Sequence, residues 1–219
     1  MKTKISAVFL TLLMLLSIFS ACTQEPSTAI QQSDKDSAKI KDHFIHISAQ
    51  HTLAETAPKI STYDELFNKL SDSDTDAIYY KGNEDIKISS DKAITKLLAI
   101  ETTGNISLDA TASSVIVYDA GEAITVNAAA DSLIVSADDV SVDVNHQTGI
   151  VYAEGQNVTV NIKNSATDMV FARNTAVTVN NITDEEITVM LINGVKVIVP
   201  AKTTYSVRDN TLQKYKSAK

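Results

Sequence analysis

The chain has 219 residues, 44% of them apolar and 21% charged, with a formal net charge of −8. That balance excludes a wholly disordered chain, six glycines and three prolines exclude collagen-like and proline-rich classes, and a single cysteine excludes a disulfide framework or a thiolate metal cage. With no tryptophan and five phenylalanines, the interior is expected to be built from small, regular side chains.

Residues 1–21 read as an export signal. Lys2 and Lys4 make a basic start, Ile5 to Ser20 is almost unbroken apolar chain, and Ala21-Cys22 closes it. The stretch Phe19-Ser20-Ala21-Cys22 resembles the lipobox of bacterial lipoproteins, with Phe19 where leucine is usual. The resemblance implies that Cys22 becomes the lipidated N-terminus, held to a cell or outer membrane on the extracytoplasmic side, since several acyl chains anchor stably where one does not. Thr23 follows, so nothing argues for inner-membrane retention in a two-membrane bacterium. Residues 22–42 mix polar and charged side chains without apolar periodicity and are expected to form a flexible tether.

Loss of residues 1–21 removes two lysines and no acid, taking the charge from −8 to −10. Residues 101–190 hold thirteen acids against Lys163 and Arg173, whereas residues 191–219 hold Asp209 against six bases. An acidic body repels phosphates, so nucleic acid is not an expected partner.

Residues 43–100 are expected to be an N-terminal cap with a helix and the first coils. His43, His46 and His51 fit no ordinary zinc spacing and are read as exposed polar residues on an edge strand. From Ser61 to Leu70 the sequence signals a helix. Ser61 or Thr62 caps it, and Glu65 follows Thr62 by three residues in a capping-box pattern. Tyr63, Leu66, Phe67 and Leu70 share the face that would close the first coil.

Residues 101–190 are a repeat. Ile106-Ser107-Leu108-Asp109 returns as Ile124-Thr125-Val126-Asn127, Val140-Ser141-Val142-Asp143, Val158-Thr159-Val160-Asn161 and Val177-Thr178-Val179-Asn180, at spacings of 18, 16, 18 and 19. A second series lies midway between: Val115-Ile116-Val117, Leu133-Ile134-Val135, Ile150-Val151-Tyr152 and Met169-Val170-Phe171. Two short β-branched strands per period of about eighteen residues predict an all-β fold. The expected architecture is a single-stranded parallel β-helix, or β-solenoid, with like stacked on like. In the first series, Ile124 and Val126 point inward. Ser107, Thr125, Ser141, Thr159 and Thr178 form an outward hydroxyl ladder, and Asp109, Asn127, Asp143, Asn161 and Asn180 a second ladder. In the second series Ile116, Ile134, Val151 and Val170 form an outward apolar strip. It is either a partner surface or packed under another segment, and cover from the N-terminal part of the chain or from the C-terminal hairpin is expected.

Residues 191–219 are expected to cap the far end. Asn193-Gly194 between two apolar runs is a hairpin signal, and a basic tail follows.

The stretches Glu154 to Val160 and Arg173 to Val179 resemble short exported bacterial β-solenoid domains of unknown function. More distantly, a short helix leading into a parallel β-helix resembles the pectate-lyase-like architecture. That resemblance implies calcium-binding carboxylates with a basic residue beside them. The candidates here are Asp119, Glu122, Asp138, Asp139 and Glu154 in the turns, with Arg173 one coil above. No Ser-His-Asp ordering, phosphate loop or dinucleotide fingerprint is present. The chain is therefore read as a membrane-tethered, non-catalytic structural or interaction module without a cofactor, whose partner is a protein or glycan of the cell envelope. The alternative is Ca²⁺-dependent carbohydrate binding or polysaccharide lysis. Sugar faces use aromatic platforms, and Tyr118 is the best outward aromatic of the body.

Overall fold

The structure is a computed structural model that describes residues 31–32, 37–70, 75–174 and 176–208. Residues 1–21, read above as an export signal, Cys22 and the basic residues beyond Arg208 lie outside the described residues.

The short β-branched runs form strands that alternate between two sheets. One set is β3 (Ala77–Lys81), β5 (Ile94–Glu101), β7 (Ala112–Asp119), β9 (Ala130–Val135), β11 (Thr148–Ala153), β13 (Met169–Ala172) and β15 (Ile187–Leu191). The other is β4 (Ile86–Ile88), β6 (Ile106–Leu108), β8 (Ala123–Val126), β10 (Ser141–Val144), β12 (Thr159–Ile162) and β14 (Thr178–Asn181). Within each set every strand pairs in parallel with the next of its own kind. The result is a parallel β-solenoid of about seven turns with coils of about 18 residues. The odd strands make the longer, ten-stranded sheet and the even strands a seven-stranded sheet. At the C-terminal end of both sheets the parallel run stops: β16 (Lys196–Val199) pairs antiparallel with β15, and β17 (Thr203–Ser206) antiparallel with β14. The Asn193-Gly194 hairpin stands as expected, with Gly194 at φ 83°, a backbone region that costs glycine nothing.

The core fills the space between the sheets. Leu98, Val115, Leu133, Val151, Val170 and Val189 stack from the odd side and Ile106, Ile124, Val142, Val160 and Val179 from the even side, all of them buried. Stacked β-branched side chains exclude water over the whole length of the axis, each contributing about 1.5–3 kcal/mol by burial. Backbones of successive coils come close enough in the turns that a Cβ on Gly155 would stand 1.9 Å from the Ala137 carbonyl oxygen. At the C-terminal end the core column closes on a polar plug. The buried Asn181 donates through Nδ2 toward the carbonyls of Glu185, Val199 and Pro200 at 2.7, 3.0 and 2.9 Å, which ties the last coil to the end of β16.

Two helices pack on this body. The helix α1 (Ser37–Thr56) crosses the outside of the odd sheet, and α2 (Tyr63–Leu70) sits at the start of the solenoid. The capping box of α2 forms: Glu65 N–H donates to Thr62 Oγ1 at 3.3 Å, and the Glu65 carboxylate accepts from Ser61 N–H at 3.4 Å. Only half of its expected face is inside. Leu66 is buried, whereas Tyr63 and Phe67 are exposed, and Tyr63 Oη donates to the Lys87 carbonyl on the edge strand β4 at 2.6 Å. Two flanking strands complete the odd sheet: β1 (Gln31–Gln32) antiparallel to β16, and β2 (Lys59–Ile60) parallel to β3. Part of the expected tether, Gln31–Gln32 and Ser37–Asp42, is thus ordered. Burial of α1 against the sheet provides what local composition lacks.

The register differs from the sequence repeat in two places. On the even side Thr125 stacks on Asp143, not on Ser141. The tetrapeptide slides by two residues, which keeps every side chain on its face but divides the hydroxyls. Ser107 and Thr125 lie in one column with Asp143, Asn161 and Asn180, while Ser141, Thr159 and Thr178 form another. On the odd side Ile134 stacks on Tyr152, not on Val151, and Tyr152 on Phe171. That slip is a single residue, and a one-residue slip exchanges the faces. The outward strip is Ile116, Ile134, Tyr152, Phe171 and Met190, while Val151 and Val170 point into the core.

Val160→Asp is expected to cost several kcal/mol, because it buries an unpaired charge at a fully enclosed position, and Thr159→Asp, half-exposed beside it, about 1 kcal/mol or less. Equal losses of Tm in the two variants would contradict the register.

Candidate functional site

Between register-matched positions the path from odd to even strands is of constant length, with five residues between Val117 and Ala123, between Val135 and Ser141, and between Ala153 and Thr159. Equivalent turn positions therefore stack. The acidic residues singled out in the sequence occupy different positions around the turn. Asp119 accepts from the following Ala120 N–H at 3.0 Å, Asp138 from Gln156 N–H at 2.6 Å, and Asp139 from Asn157 Nδ2 at 2.8 Å, while Glu122 is exposed. Asp139 and Asn157 both have positive φ, 56° and 54°, a conformation that Asx residues tolerate better than most. Each of these bonds ties a turn to its own backbone or to the next coil. Among the described residues, no group of three or more His, Cys, Asp or Glu side chains lies close enough to hold a metal ion.

Glu154 is the exception in its depth. Ser136, Glu154 and Arg173 follow the ends of β9, β11 and β13, and Tyr118 holds the equivalent place after Val117 in β7, so the four form one column. The Glu154 side chain is only 7% exposed. Its Oε2 accepts from Ser136 Oγ at 2.9 Å and from His51 Nε2 at 2.8 Å, and its Oε1 accepts from the Arg173 guanidinium. The carboxylate only accepts, so Nε2 carries a proton, and Nδ1 lies 3.0 Å from the Tyr118 hydroxyl. Burial pushes the Glu154 carboxyl up, but the bonds from His51, Arg173 and Ser136 outweigh it and hold it below its ordinary value. Burial raises the Tyr118 hydroxyl.

This column lies under α1. His51 comes from the helix, and so do His43 and His46. His43 Nδ1 lies 3.2 Å from Tyr152 Oη, His46 stacks on the Tyr152 ring with centroids 5.7 Å apart, and Phe44 meets Phe171 edge-on at 5.9 Å. Burial lifts the Tyr152 hydroxyl to about 12. Arg173 stands over the Phe44 ring at 5.5 Å while it holds Glu154. Toward the start of the solenoid, Tyr118 stacks on Tyr79 at 5.5 Å, and Tyr79 Oη donates to Glu101 at 2.6 Å. The histidines read as exposed residues on an edge strand are thus helical and face the sheet. Tyr118, read as an outward aromatic, is enclosed by Tyr79 and His51. The chemistry of the cluster is that of a clamp, since every oxygen of its one buried carboxylate is engaged by a donor.

The outer face of the even sheet carries the second arrangement. Asn127 Nδ2 donates to Asp109 Oδ1 and Asn145 Nδ2 to Asn127 Oδ1, both at 2.8 Å. In the neighbouring row Asn161 Nδ2 donates to Asp143 Oδ1 at 2.7 Å, Asn180 Nδ2 to Asn161 Oδ1 at 2.7 Å, and Thr204 Oγ1 to Asn180 Oδ1 at 2.8 Å. Each amide passes its polarity to the next coil, as in other stacked β-structures. The rows begin on carboxylates, which accept only. Asn127, Lys87 and Ser107 together lower Asp109 to about 2. At Asp143 burial acts upward, and the bonds from Lys163 and Asn161 outweigh it. Both helices pack on the odd sheet or the solenoid start, so among the described elements this face stands uncovered by a helix.

No protein-family model, curated protein or solved structure matches the chain.

Replacing Glu154 by glutamine removes the charge but keeps the shape. At pH 7 it is expected to cost about 2 kcal/mol through weakened charge-assisted bonds to His51 and Arg173. Because the folded-state carboxyl is held below its ordinary value of 4.5, its contribution is complete above that pH and is lost as pH falls through the lower folded value. Denaturation of both proteins at pH 7 and pH 3 should show a gap that is narrower at pH 3 than at pH 7. A constant gap would contradict the clamp.

Proposed function

We propose that this chain is a lipid-anchored, extracytoplasmic module of a bacterial envelope. It acts by contact, not by turnover, and offers the outer face of the even sheet to a protein or glycan of the envelope. The observation that supports this reading most is the state of its polar side chains. Glu154, His51, Arg173, Asp138 and Asp139 are engaged in bonds that join coil to coil or helix to sheet. The residues best suited to acid–base or metal chemistry therefore serve the scaffold. The even face offers two regular rows of hydroxyl, amide and carboxylate groups, repeating at about 4.8 Å along the axis. Such a face is pre-ordered, so a partner that matches it loses little by fixing it.

Anchoring is supported by the position of the chain's single cysteine directly behind an export signal. Metabolic labelling with a fatty-acid probe is expected to mark the protein and not Cys22→Ser. A variant that still labels and still sediments with membranes would remove the anchor from this account.

Contact through the even face is tested by retention of the protein on envelope fractions. Thr125→Arg/Thr159→Arg, placed on the outward columns, should leave Tm nearly unchanged and reduce retention about tenfold or more. Unchanged retention would assign contact to another surface. Polyuronate converted to an unsaturated, ultraviolet-absorbing product in the presence of Ca²⁺, and not by Arg173→Ala, would overturn the non-catalytic reading.

A further inference from the structure

The hairpin that closes the odd sheet carries a reactive step that neither the scaffold nor the proposed contact uses. Asn193-Gly194 is the only asparagine–glycine step in the chain, and every other asparagine precedes a residue with a side chain. The amide carbon of an asparagine can be reached by the backbone nitrogen of the next residue. When that residue is glycine, no Cβ hinders the approach, and the backbone can take conformations closed to other residues. Attack then closes a five-membered imide within the chain, a step that needs no encounter between molecules.

The closed hairpin holds both reacting groups away from this step. Gly194 N–H donates to the Leu191 carbonyl at 2.8 Å, and Leu191 N–H donates to the Val195 carbonyl at 2.9 Å. Asn193 Oδ1 accepts from Val195 N–H at 3.1 Å. The nitrogen that would attack therefore keeps its proton in a bond, and the amide that would be attacked is fixed on Val195 instead. Asn193 is exposed, whereas Gly194 is buried, so water reaches the side chain but not the N–H that must be lost. What keeps the loop closed lies outside it. The strand β16 pairs with β15 on one side and with β1 on the other. Its Val197 and Val199 are buried, and Asn181 holds the carbonyls of Val199 and Pro200.

We propose that Asn193 is a gated modification site: the closed hairpin protects its amide, and opening of the end cap lets it convert to aspartate and isoaspartate. In the open loop Gly194 N gives its proton to hydroxide and attacks Asn193 Cγ. A C–N bond forms, the Cγ–Nδ2 bond breaks, and Nδ2 leaves as ammonia with a proton from water. Water then opens the imide. Addition at Cγ gives aspartate, and addition at the Asn193 backbone carbonyl gives isoaspartate, whose main chain runs through the side chain. One water is consumed and one ammonia released, with no change of oxidation state. The aspartate product fits the old turn, because a carboxylate also accepts from Val195 N–H. The isoaspartate product lengthens the loop backbone by a methylene, and loop length sets the turn on which a hairpin closes. The bond from Leu191 N–H to the Val195 carbonyl is then not rebuilt, and the edge of β15 stays open as a template for another chain. Modification is thus a one-way record of cap opening.

The test incubates the full-length protein at mildly alkaline pH, in buffer and in urea, and follows every asparagine by peptide mass spectrometry, with isoaspartate scored separately. In urea Asn193 is expected to convert faster than any other asparagine, and in buffer at least about tenfold more slowly than in urea, because conversion waits on local opening. Asn181→Ala, which loosens the cap without touching the reacting groups, should raise the rate in buffer about threefold or more and leave the rate in urea unchanged. Val197→Ala serves the same purpose should Asn181→Ala fail to fold. Asn193→Asp should keep Tm nearly unchanged, since the carboxylate fits the turn. Faster conversion of another asparagine in urea would remove the site. Equal rates in buffer and urea would remove the gate, and a rate in buffer that neither cap variant moves would show that the end cap does not control it. A large loss of Tm in Asn193→Asp would contradict the fit of the aspartate product.

Discussion

The parallel stacking of one coil on the next is the constraint on which everything else in this protein depends. Once Val142 sits on Ile124 and Val160 on Val142, the backbone ladder fixes the neighbours of each residue a coil above and below. Apolar columns then close a core with few aromatics, because small β-branched side chains on both sheets meet across a narrow gap. Polar columns become ladders: an amide that stacks on an amide finds donor and acceptor at the same spacing as the strands. The same rule brings Tyr118, Ser136, Glu154 and Arg173 together, although the first and the last are 55 positions apart.

The odd sheet imposes a second requirement. Its outward column of Ile116, Ile134, Tyr152, Phe171 and Met190 cannot remain in water, and α1 meets that need. Helix and column are held by two kinds of contact. Ile47 and Ala54 bury against the apolar column, while His51 reaches Glu154, whose remaining bonds come from the sheet itself. Burial of a carboxylate would be costly alone, and here it is offset by three donors. The clamp specifies where the helix sits, and burial supplies most of the stability.

Much of this was legible in the sequence, and the errors have physical causes. The period and the parallel solenoid follow from repeated tetrapeptides, and the hairpin follows from Asn193-Gly194. The capping box of α2 follows from Thr62 and Glu65. The stacking register is less legible, because Val, Ile and Thr recur at every second position and a tetrapeptide matches almost as well two residues away. On the odd strands a one-residue error was possible because both faces are apolar, so alternation gave no guide there. The helix α1 was missed for a related reason. Its sheet-facing positions include His43, His46, Gln50 and His51, and its outer side includes Ile45 and Ala49, so the contrast between faces that marks an amphipathic helix is absent. Glu154 and Arg173 were visible as a pair. His51 was not, since nothing local connects a histidine near the N-terminus to a turn 103 residues later.

The register is also what a measurement can reach most directly. In a Cys22→Ser background, two double variants place thiols on the even face: Thr125→Cys with Asp143→Cys, and Thr125→Cys with Ser141→Cys. Directly stacked positions in adjacent parallel strands lie about 4.8 Å apart, within the Cα separation that a disulfide spans, whereas the diagonal pair is about 7–8 Å apart. Under mild oxidation the Thr125–Asp143 pair is predicted to form a disulfide and the Thr125–Ser141 pair to remain reduced. Preferential closure of the Thr125–Ser141 pair would contradict the stacking from which the core, the ladders and the clamp are all derived.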